Sequence, residues 1–394
     1  MAGGLATAGA AVTRRARATN TPGVTATEIK IGQTMPYSGP VSNYGTIGRA
    51  QQAYFAMINA QGGINGRKIT LISRDDAYSP PKTVEQIRAM VEGDQVAFIF
   101  QSLGDVTNAA IQRYLNDRHI PQLFVADGSS KWDDPRHFPW TMAWQPSYRT
   151  ESHVDAKFIL DRKPNAKIGI LVQDSLGGRD YVAGFTEALG DKAETMVVRK
   201  LTYQATDATV DSQVETLHAS GADTFFDISV PKFAAQAIRR VHNLDWKPLH
   251  LLTLVSSSVS ETLEPAGLEN SIGILSVGFF KDTNDPQWQS DPGMIAWRNW
   301  MGKYYPEGNL RDGANAYAYM VSQTLVQVLR QCGDDLSREN VMRQTANLRN
   351  LALPLLLPGI TINTSPDDYR PVKQMQPIRF NGRNWDLSGD LIAG

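Results

Sequence analysis

The feature that most constrains this chain is an alternation that runs through its first third. Short apolar runs, Glu28–Thr34 (EIKIGQT), Lys68–Arg74 (KITLISR), Val96–Phe100 and Gln122–Ala126, are separated by segments of helical period. From Thr46 the pattern puts Ile47, Ala50, Tyr54 and Met57 or Ile58 on one helical face, and Gln61-Gly62-Gly63 stops it. Asn65-Gly66 turns the chain into the second run. Asp75-Asp76 end that run, and Ser79-Pro80-Pro81 opens the next helix, whose apolar face is Val84 to Val91. A further helix starts near Thr107 and Asn108. The order β-α-β-α-β-α-β predicts an α/β fold with a doubly wound parallel sheet.

The alternation then breaks and begins again. Lys131 to Arg149 is rich in proline and aromatic residues (Trp132, Phe138, Trp140, Trp144, Tyr148) and reads as a connection between two domains. Beyond it, helices are predicted over 149–160, 181–189, 211–219 and 232–243. Strands are predicted over 167–172, 194–201, 224–228 and 249–254. A strand-like return covers Ile272 to Phe279. Helices at 293–304, 315–330 and 338–346 come too late for the second domain and suggest a return to finish the first. Met375–Phe380 and Trp385–Leu391 read as a hairpin turning at Asn381-Gly382. The expected division is 25–145 with 275–355 as lobe 1, and 146–274 with 356–394 as lobe 2.

Composition removes several classes of function. Among 394 residues, 39 are basic and 40 acidic, and no basic block stands out, so nucleic acid is not an expected partner. The most apolar window, Leu351 to Ile360, is broken by Pro354 and Pro358 and is too short to span a bilayer. Cys332 is the only cysteine, which excludes an internal disulfide, a CxxC redox site and a cysteine-rich zinc site. A lipid anchor on a cysteine is likewise not expected. Residues 1–24 carry Arg14, Arg15 and Arg17, no acidic residue, and a small-x-small triplet at Ala16-Arg17-Ala18. They read as the end of an export signal or as a flexible N-terminus.

No catalytic constellation is present in the sequence. HExxH, GxSxG, a Walker loop and a GxGxxG after a strand are all missing, and six histidines are scattered without metal-ligand spacing. Asp75-Asp76 and Asp133-Asp134 are adjacent pairs that suit turns and caps better than acid–base work. Neither enzyme activity, cofactor nor metal is expected. What the chain does offer is Ala97–Ser130, where two parallel strands end in small-residue loops at Gly104 and at Asp127-Gly128-Ser129. Strand ends of this kind form ligand crevices, and N–H groups at a helix start favour an anionic group.

Two runs carry a family resemblance: Met35-Pro36-Tyr37-Ser38-Gly39-Pro40-Val41-Ser42-Asn43-Tyr44-Gly45, and Ile58-Asn59-Ala60-Gln61-Gly62-Gly63-Ile64-Asn65-Gly66. With Asp75-Asp76 before Pro80, and Asp180-Tyr181 before Gly184-Phe185, they resemble the branched-chain amino-acid-binding proteins of ABC transporters. The likeness runs from Thr25 onward and is closest to the subgroup binding aromatic carboxylates. It implies a type I periplasmic-binding-protein fold, two lobes joined by a three-segment hinge, and a monomer that hands its ligand to a membrane permease from the periplasm. Carried over residue by residue, it implies ligand contacts at Tyr44, at Ser102, Leu103, Gly104 and Thr107, at Ala126, Asp127, Gly128 and Ser129, and at Tyr181.

The departures narrow the implied ligand. The family's acidic partner for an α-ammonium is missing from Thr253–Ser258, where Val255 is the expected contact. Ser229-Val230-Pro231 replaces an expected aromatic wall, with Val230 as its contact. A carboxylate without an α-ammonium, aromatic in body, is the ligand this implies. In a shifted register Glu261 or Glu264 would supply the acid, and an amino acid would fit. A ligand-sensing receptor domain of the same fold is the remaining alternative. Asp105, inside the proposed anion loop, is expected to point outward as a helix cap.

Overall fold

The computed structural model describes residues 21–394. Strand β1 (Glu28–Met35) pairs in parallel with β2 (Lys68–Asp75) from Glu28↔Lys68 to Met35↔Asp75, and helix α1 (Gly45–Ala60) crosses between them. Helix α2 (Pro80–Arg88) leads to β3 (Ile99–Phe100), and α3 (Asp105–Asp117) leads to β4 (Gln122–Val125). The sheet order β2-β1-β3-β4 continues into β5 (Thr141–Ala143), so every pairing in this sheet is parallel.

β5 corrects the expectation that 131–149 is only a connection. Trp132 and Trp144 are fully buried, and Trp144 Nε1 donates to Thr324 Oγ1 at 2.9 Å. A three-residue strand among prolines has too few residues to show a period.

The second lobe begins at α4 (Tyr148–Arg162), whose cap Ser147 accepts from Thr150 N. There follow β6 (Ile168–Gln173), α5 (Leu176–Leu189), the short α6 (Ala193–Met196), β7 (Val197–Tyr203) and α7 (Asp211–Ala219). β8 (Thr224–Ile228), α8 (Pro231–Asn243), β9 (Leu249–Leu252), the short α9 (Glu264–Ala266) and β10 (Leu275–Gly278) complete this passage. Helix α5 starts before Tyr181, because Ser175 caps it by accepting from Gly178 N.

β10 pairs with β9 and with the late β11 (Gln374–Phe380), so 275–278 lies in the second sheet, not in lobe 1. The return to the first lobe follows β10. Helices α10 (Pro292–Tyr304), α11 (Gly313–Cys332) and α12 (Arg338–Thr345) then join α1, with Trp300 packed on Tyr54 and Tyr319. Leu355, Leu357, Ile362, Tyr369 and Val372 belong to the same core as Ile29, Phe55 and Leu123. The last crossing therefore falls near residue 373 rather than 355. β11 turns into β12 (Trp385–Leu387) as an antiparallel hairpin, and β13 (Ile392–Ala393) also pairs with β11, giving the second sheet an antiparallel edge.

Candidate functional site

A cavity of about 220 Å³ lies between the lobes. Cavities of about 150 Å³ admit a benzene ring, so a substituted ring or a branched side chain has room here. Lobe 1 contributes Tyr44, Ile47, Tyr78, Leu103 and Tyr317, lobe 2 contributes Tyr148, Val230, Leu254 and Val255, and the hinge contributes Phe279 and Phe280. Trp385 closes the lobe 2 side, its Nε1 held by Ser257 O at 2.8 Å. The wall is thus chiefly aromatic and aliphatic.

Of the residues implied by resemblance, Tyr44, Leu103, Gly104, Ala126, Asp127, Val230 and Val255 line this cavity; Ser102, Thr107, Gly128, Ser129 and Tyr181 do not. Tyr181 donates to Glu151 Oε2 at 2.7 Å and stacks on Tyr148 at 4.3 Å between ring centroids. Tyr148 is the ring that faces the cavity. The other Glu151 oxygen accepts from Leu254 N at 2.6 Å, so one buried carboxyl holds both a wall residue, Leu254, and the tyrosine stacked behind the Tyr148 wall ring.

The anion loop is differently occupied from its expectation. Ser102 Oγ accepts from Thr34 N at 3.0 Å, Gly104 N donates to Ala126 O at 3.2 Å, and Thr107 Oγ1 donates to Leu103 O. These groups serve the backbone of a two-residue strand and its flanks, the serine as acceptor and the other two as donors. Gly128 O accepts from Tyr148 N, and Ser129 N donates to Asp127 Oδ1. The wall tyrosines are also engaged: Tyr44 donates to Val255 O (3.0 Å), Tyr78 to Asp105 Oδ1 (3.0 Å), Tyr148 to Asp127 Oδ2 (2.8 Å) and Tyr317 to Gln145 Oε1 (3.1 Å). Behind Tyr317 a buried amide relay, Gln33 to Gln51 to Gln101, fixes its hydroxyl.

Asp105 is not an outward cap. Gly104, with φ 103°, is the N-cap of α3, and Asp105 is its first helical residue, 3% exposed. Its carboxylate spans the lobes, accepting from Tyr78 OH on one oxygen and from Gly177 N on the other.

Acidic groups dominate the cavity's charge. Asp127, Glu261, Asp282 and Asp312 line it, and among the described residues its one cation is Arg311. Arg311 pairs with Glu264 of lobe 2 and donates to Asn284 Oδ1. Burial, then the charge of Asp105, pushes the Asp127 carboxyl up to about 7 against the pull of Trp132, Ser129 and Tyr148. Burial, then Glu261, pushes Asp312 up to about 7. The sequence places Glu261 and Asp312 in different segments, so their convergence becomes visible only in the fold. Asp312 has one local sign: an Asp before Gly313-Ala314 at a helix start.

A family profile described as periplasmic binding protein matches residues 28–384. The chain belongs to that family. The fold agrees: a branched-chain amino acid ABC transporter structure from Thermus thermophilus with bound valine superposes with TM-score 0.84 at 16% identity, covering 94% of this chain and 98% of that one. A solute binding protein from R. palustris in complex with 4-hydroxybenzoate gives TM-score 0.78 at 14% identity, covering 93% and 97%. A Leu/Ile/Val-binding protein homolog of Brucella abortus is 24% identical over 230 residues, 56% of this chain and 57% of the relative's length. This periplasmic binding protein thus has the type I fold, and no helix among its described residues is long and apolar enough to cross a membrane.

Proposed function

We propose that this chain is an extracytoplasmic receptor that captures a small solute with an aromatic or branched apolar body and delivers it to the permease of an ABC importer. The observation that carries this reading is the interlobe cavity itself. Its apolar walls come from both lobes, and Tyr44, Asp105 and Arg311 each bond from lobe 1 to lobe 2. A ligand that contacts both walls only in this arrangement stabilises the closed form, so binding and hinge closure are one equilibrium. The ligand leaves unchanged; the receptor works without an enzymatic step.

The carboxylate end implied by the sequence has less support than the aromatic body. A buried anion needs donors or a cation, and here Gly104 N, Thr107 Oγ1 and Arg311 are already engaged. A carboxylate ligand would require protonated Asp127 and Asp312, so it would bind more tightly as pH falls below about 7.

A thermal-shift screen over aromatic acids, aromatic amines and branched-chain amino acids, with solution scattering on each hit, tests the proposal. A raised melting temperature with a smaller radius of gyration is expected for at least one class. Melting shifts without compaction would overturn hinge capture.

A further inference from the structure

Two of the acids at the cavity have oxygens that the protein does not use. Asp282 accepts from Asn284 N on one oxygen and from Trp385 N on the other, and Asp127 accepts from three donors. Asp312, 3% exposed, accepts only from Ala314 N through Oδ1; its second oxygen has no hydrogen-bond partner among the described residues. Glu261 makes no side-chain hydrogen bond or ion pair there either; only its backbone N–H is engaged, by Ser258 Oγ.

The two come from opposite lobes. Asp312 begins α11, which packs in the lobe 1 core, while the helical turn Val259–Leu263 carrying Glu261 packs on α8 in lobe 2. Both side chains line the same cavity. Closing the lobes thus puts a carboxyl from each on the wall of one cavity, with Arg311 of that wall already committed to Glu264. Like charges brought together in a poorly hydrated space oppose closure unless something positive lies between them.

We propose that the solute is a small organic ammonium without a free carboxylate, its cation gripped between Asp312 and Glu261 as the lobes close and its apolar body seated on the Tyr44, Phe279 and Val255 walls. The proposal rests on the receptor reading above and assigns the chemical class of its ligand. It accounts for three observations together: spare acidic oxygens on both lobes, no uncommitted cation among the described residues of the wall, and Gly104 N and Thr107 Oγ1 spent on backbone carbonyls. It also makes closure ligand-dependent in a specific sense, because a neutral or anionic ligand leaves the Asp312–Glu261 repulsion in place.

Four probes of matched body separate the outcomes: 2-phenylethylamine, 2-phenylethanol, 3-phenylpropionate and phenylalanine, titrated calorimetrically at pH 6 and pH 8. The amine is expected to bind at least tenfold more tightly than the alcohol and to gain affinity from pH 6 to pH 8. An alkylammonium stays charged over that range, whereas Asp312 loses its proton; the other ionisable groups at the wall are Asp127, Glu261, Asp282, Arg311 and the tyrosines Tyr44, Tyr78, Tyr148 and Tyr317. Asp312→Asn retains a capping oxygen for Ala314 N, and Glu261 is only half-buried, so both Asp312→Asn and Glu261→Gln should fold. Each is expected to shrink the amine-over-alcohol preference at least tenfold. Tighter binding of 3-phenylpropionate or phenylalanine than of the amine at pH 8 would overturn the ammonium assignment while leaving the receptor reading intact. Absence of binding by all four would count against the cavity as a solute site and so against both.

Discussion

Asp105 Oδ2 accepts a hydrogen bond from Gly177 N at 3.0 Å, which ties the first turn of α3 in lobe 1 to the first turn of α5 in lobe 2. Tyr78 OH holds the other oxygen at 3.0 Å. A charge-assisted bond of this kind contributes ~1.5–3 kcal/mol. Asp105→Ala is therefore expected to raise the ligand Kd by at least about tenfold, since ~1.4 kcal/mol is a factor of ten. Scattering should also show a more open average form. The sequence suggested a simple cap, for which exchange to Asn leaves affinity unchanged. With the bond to Gly177 in place, Asp105→Asn is expected to weaken binding too. Wild-type affinity and radius of gyration in both variants would remove the latch role.

Tyr44 makes the corresponding link on another wall, its hydroxyl donating to Val255 O at 3.0 Å. Tyr44→Phe keeps the ring against the ligand and leaves the Val255 carbonyl without its partner. A neutral hydrogen bond contributes ~0.5–1.5 kcal/mol net. Affinity is expected to fall about fivefold in a calorimetric titration, with the enthalpy less favourable. A larger loss than that of Asp105→Ala would make Tyr44, not Asp105, the stronger of the two interlobe links.

The buried acids set a pH dependence of stability whose sign follows from their direction. Asp127 and Asp312 are both raised to about 7 from an ordinary value near 3.8, chiefly by burial. Between those values the folded chain binds more protons than the unfolded one, so stability decreases as pH rises through this window. Glu151 and Asp155, buried together in α4, are raised in the same direction by burial and add to the trend. Asp75 and Asp368 are lowered by their hydrogen-bond and lysine or arginine partners, and their stabilisation is lost only in more acidic solution. The ligand-free protein is expected to melt at a higher temperature at pH 5 than at pH 8. Glu151→Gln removes one buried charge and should flatten that slope; a melting temperature that climbs toward pH 8 would contradict the burial of these acids.

The lobes were legible in the sequence because their cues are local. Gly62-Gly63 stops α1, Pro80-Pro81 opens α2, and each apolar run marks a strand, even where, as at Val96–Phe100, only two residues pair. β5 was not legible, since Thr141–Ala143 pairs with β4 through tertiary context alone. In the site, Gly104, Asp127 and Val255, expected as ligand contacts from the sequence, line the interlobe cavity. The hydrogen-bond bookkeeping was not legible, because a hydroxyl such as Ser102 Oγ shows no sign in the sequence of whether it serves a ligand or Thr34 N. Tyr148 and Tyr181 illustrate the same limit: both are aromatic, they stack, and only the helix that carries each one decides which faces the cavity.

Gly104 and Gly62 provide an internal control for the packing of the anion loop. Their φ angles are nearly equal, 103° and 102°, in the region that L side chains rarely adopt. A Cβ added at Gly62 would have no heavy atom within 4 Å, whereas at Gly104 that carbon would meet Tyr78 Cε2 at 2.5 Å and Thr107 Oγ1 at 2.6 Å. Gly62→Ala therefore reports dihedral strain alone, ~1–3 kcal/mol. Gly104→Ala adds an overpacking cost of ~1–3 kcal/mol and must push Tyr78 away from Asp105. In urea unfolding the midpoint of Gly104→Ala is expected to lie clearly below that of Gly62→Ala, with unchanged slopes. Ligand affinity should fall only in the former, because the displaced Tyr78 ring forms part of the cavity wall. Equal midpoints would mean that Tyr78 does not pack against this loop as described.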